Sequence, residues 1–119
     1  MEVIQVEKKF DLFQDQWSPK VLCSLNGQDV KIAKVEGEFV WHNHEDEDEL
    51  FYIIKGTLEI HFEDGIRHLE QGDMLMIPKG VEHKPVAKEE CWIMLVEPQS
   101  IKHTGDTESE LTVTEYEKI

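Results

Sequence analysis

Basic residues are scarce in this chain, with 12 Lys and Arg against 26 Asp and Glu and a net charge of −14. Such a field repels nucleic-acid phosphates and anionic lipid headgroups, so neither nucleic acid nor a membrane surface is an expected partner. No apolar run approaches the roughly 20 residues of a membrane-spanning helix, and residues 1–10 lack the apolar core of a signal peptide. We therefore expect a cytoplasmic protein that binds a small molecule.

Cysteine is almost absent as well. Cys23 and Cys91 are far apart in the sequence and lie in apolar, strand-like contexts, which favours reduced, buried thiols over a disulfide or a redox pair. We assign no role to either. A chain of 119 residues is near the common size of one domain and too short for two stable cores, so we expect a single domain over residues 1–119.

Helical periodicity does not persist beyond a turn or two, whereas short apolar or alternating runs recur between turn residues. The predicted strands are Lys20–Leu25, Asp29–Val35, Glu38–Asn43, Leu50–Ile54, Thr57–Phe62, Asp73–Ile77 and Cys91–Val96. Asn26-Gly27 and Asp64-Gly65 predict tight hairpins. Phe10–Trp17 could hold one helical turn, and Leu111–Val113 could form an edge strand, on its own barrel or on a neighbouring subunit. The pattern indicates an all-β sandwich or barrel.

Two histidines stand one residue apart in the stretch WHNHEDEDELF, residues 41–51. In a strand His42 and His44 point to the same face with Cα atoms about 7 Å apart, so both imidazoles could reach one metal ion. The acidic residues 45–48 that follow contain no apolar side chain and are typical of an exposed loop.

Glu49 is the carboxylate placed to face these histidines, because it begins the apolar run of the returning strand. Glu47 and Asp48 remain possible substitutes on geometry alone. Strand parity also puts Glu38 on the histidine face. A second segment, residues 72–83, has a strand ending at Pro78 and a turn before His83, which could supply a third imidazole.

These residues resemble the two motifs of the cupin superfamily. The first, G(X)5HXH(X)3,4E(X)6G, is similar to Gly37, His42, His44, Glu49 and Gly56, over about residues 37–56. The second, G(X)5PXG(X)2H(X)3N, is similar to Gly72, Pro78, Gly80 and His83, over about residues 72–87. Four residues rather than five separate Gly37 from His42, and Ala87 replaces the final asparagine, which is not a metal ligand in the family.

The resemblance implies a single-domain cupin jelly-roll β-barrel, a double-stranded β-helix. It implies that one divalent transition metal (Fe, Mn, Zn, Ni, Co or Cu) is held by His42, His44, Glu49 and His83. Such a site suits an enzyme for a small oxygen-rich substrate, either of dioxygenase type or of isomerase or lyase type, with Glu38 as the candidate general base. The alternative is a non-enzymatic module that senses or binds a small molecule or metal.

The remaining histidines, His61, His68 and His103, are interpreted as surface or structural residues. Both parities of Leu50–Ile54 and of Trp92–Val96 are apolar, so one face of each strand needs a further cover. On that basis we predict a homodimer.

Overall fold

The computed structural model describes all residues, 1–119, and consists almost entirely of β-strands. A short helix α1 (Val6–Lys9) and a 3-10 turn (Phe10–Leu12) precede the first strand. The strands are β1 (Lys20–Leu25), β2 (Gln28–Glu38), β3 (Glu49–Lys55), β4 (Thr57–Phe62), β5 (Gly65–Glu70), β6 (Met74–Ile77), β7 (Lys84–Pro98) and β8 (Glu117–Lys118). The predicted all-β barrel is confirmed.

Strand β7 organises the barrel because it is long enough to pair with three others. It runs antiparallel to β2 along most of its length, to β4 near its start and to β3 near its end, while β6 pairs with β3 alone. Alternate residues of β7 are buried, from Cys91 through Ile93 and Leu95 to Glu97. Their inward faces meet those of β2, β3 and β4 in one core.

The first hairpin is as predicted, and the second differs by one residue. Asn26 and Gly27 both have positive φ, 50° and 78°, and connect β1 to β2 as a two-residue turn. In the second, Phe62 pairs with Gly65, so Glu63-Asp64 forms the turn and Gly65 already belongs to β5. Strand β5 was not predicted, because Leu69 is its only buried residue.

The predicted strand Glu38–Asn43 is wrong. Strand β2 continues through a register shift between Val35 and Gly37, ends at Glu38, and gives way to irregular backbone with one isolated bridge between His42 and His83. Gly37 has φ of 83°, a left-handed conformation that interrupts the regular pleat. The alternation of faces is therefore lost just before the histidines.

The N-terminal segment covers part of the barrel's outer face. The helical turns lie earlier than predicted, over Val6–Leu12 in place of Phe10–Trp17. Phe10 is fully buried and stacks on Trp92 with ring centroids 4.5 Å apart, beside the outward side chains of Ile54 and Met94. Much of the outward-facing apolar surface of β3 and β7 is thus covered within one chain. The homodimer stays a prediction.

The C-terminal segment folds back on its own barrel. Leu111–Val113 is not a strand, and the edge strand is instead β8, which pairs parallel to β1. Ile101 and Thr104 are buried, and the Tyr116 hydroxyl donates a hydrogen bond to the Ile101 carbonyl. None of the helices has the length and apolar character needed to cross a lipid bilayer.

Candidate metal centre

The four predicted ligands meet inside the barrel. His42 and His44 lie in the irregular segment after β2, Glu49 is the first residue of β3, and His83 immediately precedes β7. All four are buried, and one ligand atom from each lies within 4.8 Å of the others. Two donors bound to one ion at about 2.1 Å are at most about 4.2 Å apart, so small movements suffice for a common ion. We call these four residues the His/Glu cluster.

Backbone hydrogen bonds orient two of the imidazoles. His42 Nδ1–H donates to the Val40 carbonyl at 2.8 Å, and His83 Nδ1–H donates to the Val81 carbonyl at the same distance. The two histidines also exchange backbone hydrogen bonds, of 3.0 and 2.9 Å. With Nδ1 occupied as a donor, the neutral ring has an unprotonated Nε2, which is the form that binds a metal.

Several polar atoms of the cluster are buried without a hydrogen-bond partner. These are His44 Nδ1 and Nε2, His83 Nε2 and Glu49 Oε1. Glu49 Oε1 lies 3.3 Å from His83 Nε2 and 3.7 Å from His44 Nε2. Buried acceptors without a donor cost free energy, and a shared cation between them would remove that cost. The residues present therefore fit a metal ion.

Burial keeps these imidazoles neutral. It lowers the pKa of His42 to about 3, assisted by repulsion from His83, and lowers that of His44 to about 4. The pKa of His83 is lowered for the same primary reason. Burial raises the pKa of Glu49, because a carboxylate is poorly solvated there without a cation. At neutral pH the three rings are thus ready to act as ligands.

A buried ion pair, which was not predicted from the sequence, adjoins the cluster. Lys31 is 0% and Glu97 2% exposed, and Lys31 Nζ donates to Glu97 Oε1 at 2.9 Å while lying 3.5 Å from the centre of the Tyr116 ring. Burial and the nearby Glu49 raise the pKa of Glu97 well above its usual range. The alternation of β7 was a usable signal, since Glu97 follows Cys91, Ile93 and Leu95 on the inward parity.

A small cavity lies beside the cluster. Its volume is about 40 Å³, which is room for about three water molecules at roughly 10–15 Å³ each. His42, Glu49, Glu97 and Phe51 line it, together with His103 from the C-terminal segment. His103 was not expected at the site.

The other acidic candidates lie outside the cavity. The Glu38 side chain is 65% exposed and forms an ion pair with Lys84, because the register shift in β2 turns it away from the ligands. Asp48 accepts a hydrogen bond from the Lys79 N–H. Glu47 accepts one from the Ser100 hydroxyl. Of the four acids, only Glu49 reaches the histidines.

The surface histidines are as interpreted. His61 and His68 lie on the outer face near Glu59, with Nε2 of His61 3.0 Å from Glu59 Oε1. Neither approaches the His/Glu cluster.

Comparison with known proteins identifies a family. A family model described as "Cupin domain" matches residues 28–97. Protein YdbB of Bacillus subtilis strain 168 is 41% identical over 64 residues, which are 53% of this chain and 57% of YdbB. The chain therefore spans just over half the length of that relative.

Solved structures resemble this chain over more of its length. The crystal structure of a cupin-2 domain containing protein from Shewanella frigidimarina NCIMB 400 is 55% identical with a TM-score of 0.81, covering 82% of this chain and 95% of that one. KdgF from Halomonas sp. is 26% identical with a TM-score of 0.60, over 68% of this chain and 79% of that chain. Residues 28–97, which the family model matches, contain both segments that carry the cluster.

Proposed function

Since this chain belongs to the cupin family, we propose that its His/Glu cluster binds one divalent transition metal and that the protein is a mononuclear metal-dependent enzyme. The observation that carries this proposal is the convergence of buried, unpartnered ligand atoms from His44, His83 and Glu49. Three imidazoles and one carboxylate suit Fe, Mn, Co, Ni, Cu or Zn.

The charges around the cluster support the same proposal. Glu49 and Glu97 are both nearly inaccessible to solvent, and Lys31 is the fully buried cation beside them. With one ammonium beside two buried carboxyl groups, ionising both would leave a negative charge unbalanced, and burial accordingly raises the pKa of each. A dication among the ligand atoms would reverse that imbalance. Neither Lys31 nor Glu97 belongs to the family motifs.

The substrate class follows from the space and the chemistry available. Four protein ligands leave up to two positions free on a six-coordinate ion, so a small ligand with one or two oxygen atoms fits. When bound, the metal supplies Lewis-acid polarisation of a substrate oxygen or, if redox-active, electron transfer for a dioxygenase-type reaction. Phe51 and the other apolar lining residues exclude bulk water. We therefore propose a small, oxygen-rich substrate and either dioxygenase-type or isomerase- or lyase-type chemistry.

The small cavity favours a second candidate, a binding module without turnover. At about 40 Å³ the cavity accepts a ligand of only a few atoms, so the barrel could hold a metal or a small anion without catalysing a reaction. The two functions differ in whether a metal-loaded protein converts a bound compound. Oxygen uptake with an iron-loaded sample, and proton exchange into candidate enediols with a zinc- or manganese-loaded one, distinguish them.

Metal content is the first test. We expect about one transition metal per chain in wild-type protein purified without chelator, measured by elemental mass spectrometry, and loss of that metal in a His42→Ala/His83→Ala variant. A His61→Ala/His68→Ala variant is the matched control, because it removes two histidines from the outer face. Circular dichroism establishes that each variant is folded. Equal metal content in all three proteins, or none in any, would contradict the proposed site.

A further inference from the structure

His103 extends the site beyond the residues of the family motifs. It belongs to the C-terminal segment, outside residues 28–97 that the family model matches. The structure places it in the wall of the cavity, together with His42 and Glu49. Its ring packs against Phe39 at a centroid distance of 4.9 Å, and Phe39 in turn contacts the His42 ring at 5.3 Å. His103 is thus one aromatic ring away from a metal ligand.

Hydrogen bonding fixes which nitrogen of His103 carries the proton. The backbone N–H of Val113 donates to His103 Nδ1 at 3.0 Å, so Nδ1 is an acceptor and a neutral ring has its hydrogen on Nε2. Burial lowers the pKa of His103 to about 4, which is consistent with a neutral ring at pH 7. Phe39 on one side and Tyr116 on the other restrict its rotation.

The Nε2–H of His103 takes part in none of the side-chain hydrogen bonds and is not among the atoms sealed from solvent, so it stays open to a hydrogen-bond partner from outside the protein. The cavity wall also contains the unpartnered Oε2 of Glu97 and the Lys102 side chain. Packing on Phe39 uses the ring face of His103 and the Val113 N–H uses Nδ1, which leaves Nε2 as the ring atom available to a ligand.

We propose that His103 is a ligand-binding residue whose Nε2–H donates a hydrogen bond to an oxygen atom of the small molecule that occupies the cavity. The ligand class is one with oxygen-centred negative charge, such as a carboxylate or an enolate, because a fixed donor in a poorly solvated cavity favours such a group. This inference rests on the proposed function and adds to it a second contact, from the C-terminal segment, on the side of the ligand away from the metal.

The first experiment tests the tautomer without metal. Long-range ¹H–¹⁵N spectra of ¹⁵N-labelled metal-free protein distinguish a protonated from an unprotonated ring nitrogen, and a His103→Phe sample assigns the His103 signals by their absence. We expect a neutral ring protonated at Nε2 at pH 7. A ring protonated at Nδ1, or at both nitrogens, would overturn the inference.

The second experiment measures binding of formate, a three-atom carboxylate matched to the size of the cavity. Co(II)-loaded wild type, His103→Phe, His103→Gln and the surface control His68→Phe are titrated with formate and followed by visible absorption. We expect formate to bind His103→Phe about tenfold or more weakly than wild type, since a hydrogen bond to a charged acceptor is lost. His103→Gln keeps a donor at the same reach and recovers most of the affinity, and His68→Phe is unchanged.

The outcomes separate this inference from the proposed function. Normal Co(II) loading with equal formate affinity in wild type and His103→Phe would refute the role of His103 and leave the metal site intact. Failure of wild type to load Co(II) would refute the metal site and this inference together. If His103→Phe does not fold, the comparison of wild type with His103→Gln and His103→Asn decides, because asparagine places its amide nearer Nδ1. Equal affinity in all three proteins overturns the inference.

Discussion

Replacing Lys31 with methionine tests whether the ion pair beside the His/Glu cluster is as strongly coupled as its burial implies. Lys31 and Glu97 project from neighbouring strands β2 and β7, which pair antiparallel, and Nζ lies 2.9 Å from Oε1. Methionine has nearly the same length as lysine and keeps the contact with Tyr116, so the change removes a charge with little loss of volume.

The expected magnitude follows from the distance and the burial. Two unit charges 2.9 Å apart attract each other by about 6 kcal/mol at an effective dielectric constant of about 20. Desolvation offsets part of this attraction, and removing one partner of a buried pair typically costs about 3–5 kcal/mol. We expect that loss for Lys31→Met. Lys31→Met/Glu97→Gln also removes the carboxylate that Lys31→Met leaves without a partner, so the double variant should lose no more than the single variant.

Urea unfolding of the metal-free proteins at several pH values is the assay. In Lys31→Met, Glu97 without its ammonium has a folded-state pKa raised further above the unfolded value, as burial already raises it in wild type. A group with a raised folded pKa binds its proton more tightly in the native state, so stability falls as pH rises through that range. Lys31→Met should therefore lose stability from pH 5 towards pH 8, whereas the double variant, in which Glu49 alone of the two carboxyl groups keeps a raised pKa, should lose less. The coupling would be refuted if the losses of Lys31→Met and of Glu97→Gln add up in the double variant and Lys31→Met shows no such pH dependence.

Three further predictions concern the C-terminal segment, the thiols and the ligands. Gly105→Ala should free the C-terminal segment from the barrel, because a Cβ there would overlap the Asn43 carbonyl oxygen, and hydrogen exchange should rise over residues 101–116. The control is Gly27→Ala, because Gly27 is also left-handed but has open space around it. Gly27→Ala should cost only about 1–2 kcal/mol of stability and leave exchange over residues 101–116 unchanged. Iodoacetamide should label the exposed Cys23 but not Cys91 in native protein, since burial raises the pKa of the Cys91 thiol to about 12, and mass spectrometry showing two labels before unfolding would contradict this. Because burial lowers the pKa of His42 to about 3 and that of His44 to about 4, protons should compete with a metal for these two rings only near or below pH 4, and an NMR titration in which either ring is protonated at pH 6 would contradict it.

The sequence predicted which residues converge inside the barrel, because their positions depend on short spacings. His42 and His44 needed only their separation by one residue, and Glu49 only its place at the start of an apolar run. Glu38 failed for the opposite reason, since parity assumes an unbroken strand and the left-handed Gly37 breaks it. His103 could not be found by pattern at all, because it reaches the cavity through a C-terminal segment with no regular periodicity.

The acidic residues 45–49 after the histidines do not all have the same role: they are neither simply an exposed loop nor simply a set of ligands. The last of them, Glu49, enters the barrel, while Asp48 remains outside and accepts the Lys79 N–H at 2.9 Å. A second contact joins the same two loops where the Gly80 N–H donates to the His44 carbonyl at 2.8 Å.

These contacts connect the loop that carries His42 and His44 to the loop that precedes His83. A four-ligand site drawn from distant parts of the chain must be ordered before an ion arrives, or binding loses the free energy spent on ordering it. The Asp48 carboxylate thus holds the two loops together, and the Glu49 carboxylate contributes its charge inside the barrel. Glu45 and Asp46, which are exposed, add only a long-range attraction for cations, which salt screens beyond about 10 Å.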